Sequence, residues 1–283
     1  MNLSKLCLSR RSLAIAAALA GTVSLVIGAH AALSLRALDA AKAVSTEQAA
    51  DAASRPSRIA LVIGNGHYPD ANIPLVQPVN DARALSGALR RDGFDVDMVE
   101  DATRDDMVRA VERMKSKIRP DSVVMLFFGG YGVQVGRESY MIPVDATIWK
   151  ESDVRRGGVS IESVLSTMKE QGARAKLVVV DASRRNPYER RFRAFSHGLA
   201  PINAPDNALI LSSATPGKVI DDAKGDNSAL VAELLSNLSA QAGGAEAVFN
   251  KTRVAISRAS EGEQVPSVSS SLLEDVRLGA NGG

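Results

Sequence analysis

The sequence predicts a three-layer α/β sandwich with a mostly parallel central sheet flanked by helices. The main observation is that short, continuously apolar segments alternate with longer segments that carry apolar residues at helical spacing. Continuous apolar strands are typical of parallel sheets whose two faces are both covered by helices. No internal repeat is evident in the 283 residues.

The strand predictions rest on apolar segments that are bounded by turn residues. Residues 59–63 end at Gly64-Asn65-Gly66, a turn signal, and Pro120-Asp121 introduces residues 123–128. The predicted strands lie at residues 59–63, 94–99, 123–128, 177–180 and 209–211. A small hairpin is expected around residues 140–143.

The helix predictions rest on periodicity and on capping residues. Residues 80–91 carry Ala82, Leu85 and Leu89 on one helical face. Thr103 is expected to cap a helix that continues to residue 118, because its hydroxyl can accept a hydrogen bond from a backbone N–H of the first turn. Asp105 and Asp106 fall in that turn, where carboxylates interact favourably with the helix dipole. The predicted helices lie at residues 80–91, 103–118, 228–238 and 245–259, with another beginning at residues 161–168.

The N-terminus resembles a targeting segment. Lys5, Arg10 and Arg11 precede an uncharged, apolar run at residues 12–35, and Ala29-His30-Ala31 fits a small-residue cleavage site. The run is also long enough to cross a bilayer if it is not cleaved. We therefore expect a periplasmic or exported protein that is either released or tethered to the inner membrane through residues 12–35.

The charge balance argues against a nucleic-acid partner. The formal net charge is +2, but three basic residues of the leader, which is residues 1–31, account for the excess. The rest of the chain has 31 basic and 32 acidic side chains. No basic tract is comparable to a nucleic-acid footprint.

We expect neither a cofactor nor a metal ion.

Three loops that follow predicted strands indicate where a site would form. Ligands of open α/β sheets bind at the carboxyl ends of the strands. Residues 64–69, 129–134 and 181–187 all follow strands, so we expect them to converge on one edge of the sheet.

Four segments carry a family signature in order along the chain. They read RIALVIG at residues 58–64, VNDAR at 79–83, FFGGYGVQV at 127–135 and VVVDASRRNP at 178–187. Together they resemble the caspase-like peptidases, in the bacterial orthocaspase or metacaspase branch, and residues 265–272 resemble that family's last strand. The resemblance covers roughly residues 58–273 and implies a caspase-like domain, which we place at residues 58–278. We expect a signal peptide or anchor at 1–31 and a linker at 32–57 before it, and a tail at 279–283 after it.

The resemblance places Tyr131 where the family has its catalytic histidine, and Ser183 where it has its catalytic cysteine. A cysteine peptidase needs a thiolate beside an imidazole, whereas a tyrosine phenol with an ordinary pKa of about 10 is a poor base for a serine hydroxyl. The only cysteine of the chain, Cys7, lies in the leader. We therefore expect an inactive pseudopeptidase with a binding or regulatory role.

The resemblance also implies a pocket for a basic side chain, with its acids at Asp81 and Asp181. A carboxylate pair favours a guanidinium through charge-assisted hydrogen bonds. Both residues also have a structural interpretation, in which Asp81 caps its own helix and Asp181 anchors its loop. The implied partners are basic peptides or a related active peptidase.

Two alternatives remain open at this point. Ser183 could use His67 or His197 as a relocated base, which would make the chain an active peptidase directed at Arg or Lys. The chain could instead be a structural envelope protein with no pocket function.

Overall fold

A six-stranded sheet lies at the centre of the computed structural model, which describes residues 57–69, 74–182, 199, 201–215, 218, 225–240 and 243–278. The strands are β1 Arg58–Gly64, β2 Asp95–Glu100, β3 Val123–Gly129, β4 Gly132–Val135, β5 Glu138–Met141, β6 Val159–Ser160, β7 Ala175–Asp181, β8 Ala208–Ser212 and β9 Ser267–Ser270. The central sheet has the order β2-β1-β3-β7-β8-β9, and its pairs are parallel except for β8 with β9. The predicted mostly parallel sheet is therefore confirmed.

Helices cover both faces of this sheet. The described residues contain α1 Gln77–Arg91, α2 Arg104–Lys117, α3 Glu151–Gly157, α4 Ile161–Glu170, α5 Ala229–Ser239 and α6 Ala245–Ala259. Apolar side chains of α1, α5 and α6 form one buried cluster with the sheet, and those of α2 and α4 form a second cluster. This arrangement confirms the three predicted layers. None of the helices in the described ranges is both long and apolar enough to cross a membrane.

Helix α2 begins at the predicted cap. The Thr103 hydroxyl accepts a hydrogen bond from the Asp106 backbone N–H at 3.2 Å, and Asp106 Oδ2 accepts one from the Thr103 N–H at 3.2 Å. This reciprocal pair is a capping box, which gives partners to two N–H groups that a helix start leaves unpaired. The helix ends at Lys117, and Ile118 is its C-cap rather than its last residue.

Helix α1 begins earlier than the sequence predicts. It begins at Gln77 with Pro78 in its first turn, whereas the apolar spacing indicated a start at Asn80. Proline suits the first helical turn, because the N–H that it lacks has no partner within the helix there. The earlier start moves Asp81 from the beginning of the helix into its second turn.

A second, three-stranded sheet has the order β4-β5-β6. The antiparallel pair β4 and β5 forms a small hairpin, but it lies at residues 132–141, earlier in the chain than the expected 140–143. Helix α3 and the two-residue strand β6 were not predicted. The leader at 1–31, all but the last residue of the linker and the tail at 279–283 lie outside the described residues.

Candidate functional site

Three strand ends meet at one edge of the central sheet. In the parallel register, Gly64 of β1 pairs with Gly129 of β3, which pairs with Asp181 of β7. The loops after these strands are joined by backbone hydrogen bonds, from the Asn65 N–H to the Gly129 carbonyl at 2.9 Å and from the Gly130 N–H to the Asp181 carbonyl at 3.2 Å. The expected convergence is therefore observed for the described parts of the three loops.

The two glycines allow the first turn of α1 to lie directly against the strand ends. A Cβ atom at Gly64 would lie 2.4 Å from the carbonyl oxygen of Pro78, and one at Gly129 would lie 3.2 Å from the Pro78 Cβ. Larger residues would force the helix away from the sheet. The close approach carries Asp81, which follows in the next turn, to the edge where Asp181 lies.

Asp81 is fully buried, and only one of its two carboxylate oxygens accepts hydrogen bonds from the described residues. Its Oδ1 accepts hydrogen bonds from the Asn227 side chain at 2.8 Å and from the Ser228 backbone N–H at 3.0 Å. Its Oδ2 is buried and has no hydrogen-bond partner within the described part of the chain. Ser228 is the N-cap of α5, so the interpretation of Asp81 as the cap of its own helix is wrong, because its carboxylate supports a different helix.

Asp181 is also fully buried, and it lies on the sheet face covered by α1 and α5. Leu177 and Val179 belong to the apolar cluster on that face, and the alternation of side chains along a strand places Asp181 there too. Burial, together with the negative charge of Asp181, raises the pKa of Asp81 to about 6. The two predicted acids are therefore brought together.

Tyr131 is buried against a second tyrosine. Its ring centroid lies 4.7 Å from that of Tyr68, with the ring planes tilted by 59°. The Tyr68 hydroxyl accepts a hydrogen bond from the Tyr131 backbone N–H at 3.1 Å and donates one to the Ile142 carbonyl at 3.0 Å. Since Tyr68 holds Tyr131 through the backbone, this contact does not depend on the side chain at position 131.

Ser183 lies outside the described residues, but the residue before it is described. Ala182 is buried against Gly132, where an added Cβ would lie 2.9 Å from the Ala182 Cβ. Hence the residue that follows Tyr131 and the residue that precedes Ser183 are in contact.

His67 is an exposed residue with a carboxylate partner. Its Nδ1 lies 2.6 Å from Asp101 Oδ2, and Asp101 Oδ1 accepts from the backbone N–H groups of Gly66 and His67 at 2.8 and 3.0 Å. Partial burial raises the pKa of Asp101, but the hydrogen bonds from His67 and Gly66 outweigh it, so this pKa lies below its usual value.

Asp101 follows β2, and β1 and β3 separate β2 from β7. At the usual strand spacing, the ends of β2 and β7 are about 14 Å apart. His67 is therefore held on the side of the edge away from β7. His197, the other candidate base, lies outside the described residues.

Sequence reasoning missed Asn65, a buried side chain that joins the loops at this edge. Its Oδ1 accepts from the Ala102 N–H at 2.8 Å, and its Nδ2 donates to the Ile142 carbonyl at 3.1 Å. Asp101 was missed as well. The signal for Asn65 is an Asn directly after a buried strand, a pattern that equally indicates a simple turn. The described residues contain no group of three or more His, Cys, Asp or Glu side chains that could hold a metal ion.

Comparison with known proteins gives one family. The family model described as a caspase domain, peptidase C14, matches residues 57–277. Mucosa-associated lymphoid tissue lymphoma translocation protein 1 of Homo sapiens is 28% identical over 144 residues, which cover 50% of this chain and 17% of that protein. Its Mus musculus homolog is 29% identical over 136 residues, which cover 47% of this chain and 16% of that protein. The matches therefore span about one sixth of the length of these relatives.

Proposed function

The chain belongs to the caspase-domain peptidase family, and on that premise we propose that it is a non-catalytic member that binds basic side chains of peptides. In this proposal Asp81 and Asp181 receive the cationic end of an Arg or Lys side chain. Tyr131 and Ser183 stand in place of the catalytic pair, so the bound peptide is not cut.

The observation that carries the proposal is the buried Oδ2 of Asp81. It has no hydrogen-bond partner in the described part of the chain, and Asp181 lies near enough for its charge to raise the pKa of Asp81. Two buried like charges are unfavourable unless a proton or a cation compensates them. A guanidinium or ammonium group would supply both the opposite charge and the missing donor.

The absence of cleavage follows from the chemistry of the two replaced positions. A serine hydroxyl attacks a carbonyl only when a base takes its proton, and a phenol of ordinary pKa is protonated at neutral pH. Tyr131 also packs against Tyr68 in a buried position, which suits a structural residue better than a proton carrier.

Peptide binding to the full-length chain tests this proposal. A labelled peptide with one arginine, the same peptide with lysine and the same peptide with neutral citrulline are compared by fluorescence anisotropy. We expect Arg or Lys to bind and citrulline to bind far more weakly. Asp81→Asn should lower the affinity for the basic peptide by about 30-fold or more, because it leaves the bound cation with one carboxylate.

The matched control is Asp105→Asn, which makes the same chemical change at an exposed carboxylate on α2. It should leave the affinity unchanged. Equal affinity for the arginine and citrulline peptides, or an unaltered affinity in Asp81→Asn, would contradict the proposal and favour a structural envelope protein.

One observation favours a second candidate, a serine peptidase. Asp101 binds Nδ1 of His67, and a carboxylate on that nitrogen orients a catalytic imidazole in serine hydrolases. Hydrolysis of fluorogenic Arg and Lys peptides that is lost in Ser183→Ala would establish this function, and His67→Gln and His197→Gln would then identify the base. We consider this candidate weaker, because Asp101 holds His67 on the β2 side of the edge.

The proposal extends to location and partner. The basic start and apolar run of the leader support export to the periplasm, with or without a tether through residues 12–35. A related active peptidase is a natural partner for such a domain, because its own basic processing sites would present Arg or Lys side chains. Co-purification with such a peptidase, lost in Asp81→Asn, tests this extension.

A further inference from the structure

Ser213 is a fully buried serine directly after β8. Its Oγ has no hydrogen-bond partner within the residues that the structure describes. Buried hydroxyl groups are nearly always paired, because leaving water without gaining a partner costs free energy. An orphaned hydroxyl therefore calls for an explanation, and a ligand that supplies the missing partner is one.

The register of the sheet places Ser213 beside Asp181. Val180 of β7 pairs with Ser212 of β8, and the Ser213 N–H donates to the Val180 carbonyl at 2.9 Å. Neighbouring strands lie about 4.8 Å apart, so Ser213 and Asp181 are adjacent positions at the same edge. The Ser213 carbonyl accepts a hydrogen bond from Gln264 Nε2 at 3.0 Å, which fixes the backbone at this point.

Ser213 also shares a face with the acid pair. Leu209 and Leu211 of β8 belong to the apolar cluster under α1 and α5, and alternation along the strand places Ser213 on that face. Asp81 reaches the same edge from α1, with its own Oδ2 unpartnered among the described residues. Two buried oxygens without partners, from a helix and from a strand end, thus flank Asp181.

We propose that Ser213 Oγ is a third acceptor for the cationic end of the side chain that Asp81 and Asp181 bind. This inference rests on the proposed function and adds a specificity-determining residue to it. Guanidinium and ammonium groups both carry several N–H donors, so either can bond to acceptors on α1, β7 and β8 at once. The hydroxyl gains a partner without adding a further negative charge to a buried site.

The test compares Ser213→Ala with Ser139→Ala in the full-length chain. Ser139 is the matched control, since its Oγ is also buried and unpartnered within the described residues, but it lies on β5 in the other sheet. We expect Ser213→Ala to lower the affinity for the arginine peptide about tenfold, as for a lost hydrogen bond to a charged group. The affinity for the citrulline peptide and the melting temperature should change little, and Ser139→Ala should leave peptide affinity unchanged.

Each other outcome overturns the inference in a distinguishable way. If Asp81→Asn weakens binding of the arginine peptide while Ser213→Ala does not, the proposed function stands and Ser213 lies outside the pocket. If Ser213→Ala lowers the melting temperature and weakens binding of both peptides equally, its role is structural. If wild type does not distinguish arginine from citrulline, the proposed function fails, and the inference fails with it.

Discussion

The carboxylate of Asp81 on α1 accepts a hydrogen bond at 3.0 Å from the backbone N–H of Ser228, the N-cap of α5. Gln77 and Asn80 of α1 also donate to backbone carbonyls of residues 225–227. Three polar side chains of one helix thus hold the chain that leads into another. Because only Oδ1 of Asp81 is used in this way, the structural role and the proposed binding role can share one carboxylate.

This shared role predicts that two substitutions of Asp81 differ in stability. Asp81→Ala removes the acceptor of the Asn227 and Ser228 donors and should lower the free energy of unfolding by about 1–3 kcal/mol. Asp81→Asn keeps an acceptor oxygen and removes a buried like charge, so it should be neutral or stabilising at pH 7. Urea denaturation of both variants measures the difference, and equal destabilisation would show that the hydrogen bonds to Oδ1 contribute little.

The raised pKa of Asp81 predicts a specific pH dependence of stability. Its folded-state pKa is about 6, against an ordinary value of 3.8. Between these pH values the folded state binds more protons than the unfolded state. The contribution of Asp81 protonation to the free energy of unfolding is therefore complete below pH 3.8 and is lost as the pH rises through 6. Asp81→Asn should therefore gain stability relative to wild type from pH 4 to pH 7, by up to about 3 kcal/mol. A constant difference in free energy of unfolding across this range would contradict the assigned pKa.

The affinity for the arginine peptide should rise with pH over the range in which the stabilising contribution of Asp81 falls. A cation binds best when Asp81 is ionised, so the affinity for the arginine peptide should rise about tenfold from pH 5 to pH 7. Asp81→Asn should lack most of this slope, since the titrating group is gone. Anisotropy titrations at several pH values measure both slopes, and parallel slopes in the two proteins would assign the dependence to another group.

Gly130 is predicted to be required for the position of the two tyrosines. It has a φ of 154°, and a Cβ there would lie 2.5 Å from the Tyr68 hydroxyl oxygen. Gly130→Ala should therefore displace Tyr68 and lower the free energy of unfolding by about 2–4 kcal/mol. Gly93→Ala is the matched control: its φ is 82°, but nothing lies within 4 Å of an added Cβ, so only backbone strain remains. Similar losses in the two variants would show that the Tyr68 contact is unimportant.

Histidine and cysteine at the two positions that the resemblance assigns to the catalytic pair should produce cleavage if the surrounding site is intact. The Tyr131 N–H is held by Tyr68, and this backbone contact would remain in Tyr131→His. We expect Tyr131→His with Ser183→Cys to cleave Arg or Lys peptides, and each single variant to remain inactive, because a thiolate needs its imidazole. A folded double variant without activity would mean that the pocket no longer presents a peptide bond to position 183.

The sequence predicted the parts of the fold that local patterns determine. The strands β1, β3 and β7 contain the continuously apolar segments 59–63, 123–128 and 177–180. The predicted cap, Thr103, forms a capping box with Asp106, three residues further on. Helix α3 and strand β6 were missed because they are too short for a periodic pattern. They depend on contacts made in the folded chain, such as the pairing of β6 with β5.

The same distinction applies to the site. Asp81 and Asp181 could be named from the family resemblance, and strand ends predicted a common edge. The contacts of Asp101 and Asn65 could not be predicted, because they depend on β2 lying beside β1 and on the path of the chain around Ile142. The Ser228 N–H donates to an Asp81 carboxylate that lies 147 residues away along the chain, a separation at which sequence periodicity carries no information.

Above all, we propose that the chain binds a basic side chain without cutting the peptide. The most direct measurement incubates the full-length chain with the labelled arginine peptide, records binding by anisotropy, and then analyses the peptide by mass spectrometry. We expect wild type to bind the peptide and leave it intact, and Asp81→Asn to bind it about 30-fold more weakly or worse. Cleavage that depends on Ser183, or equal binding by wild type and Asp81→Asn, would contradict this proposal.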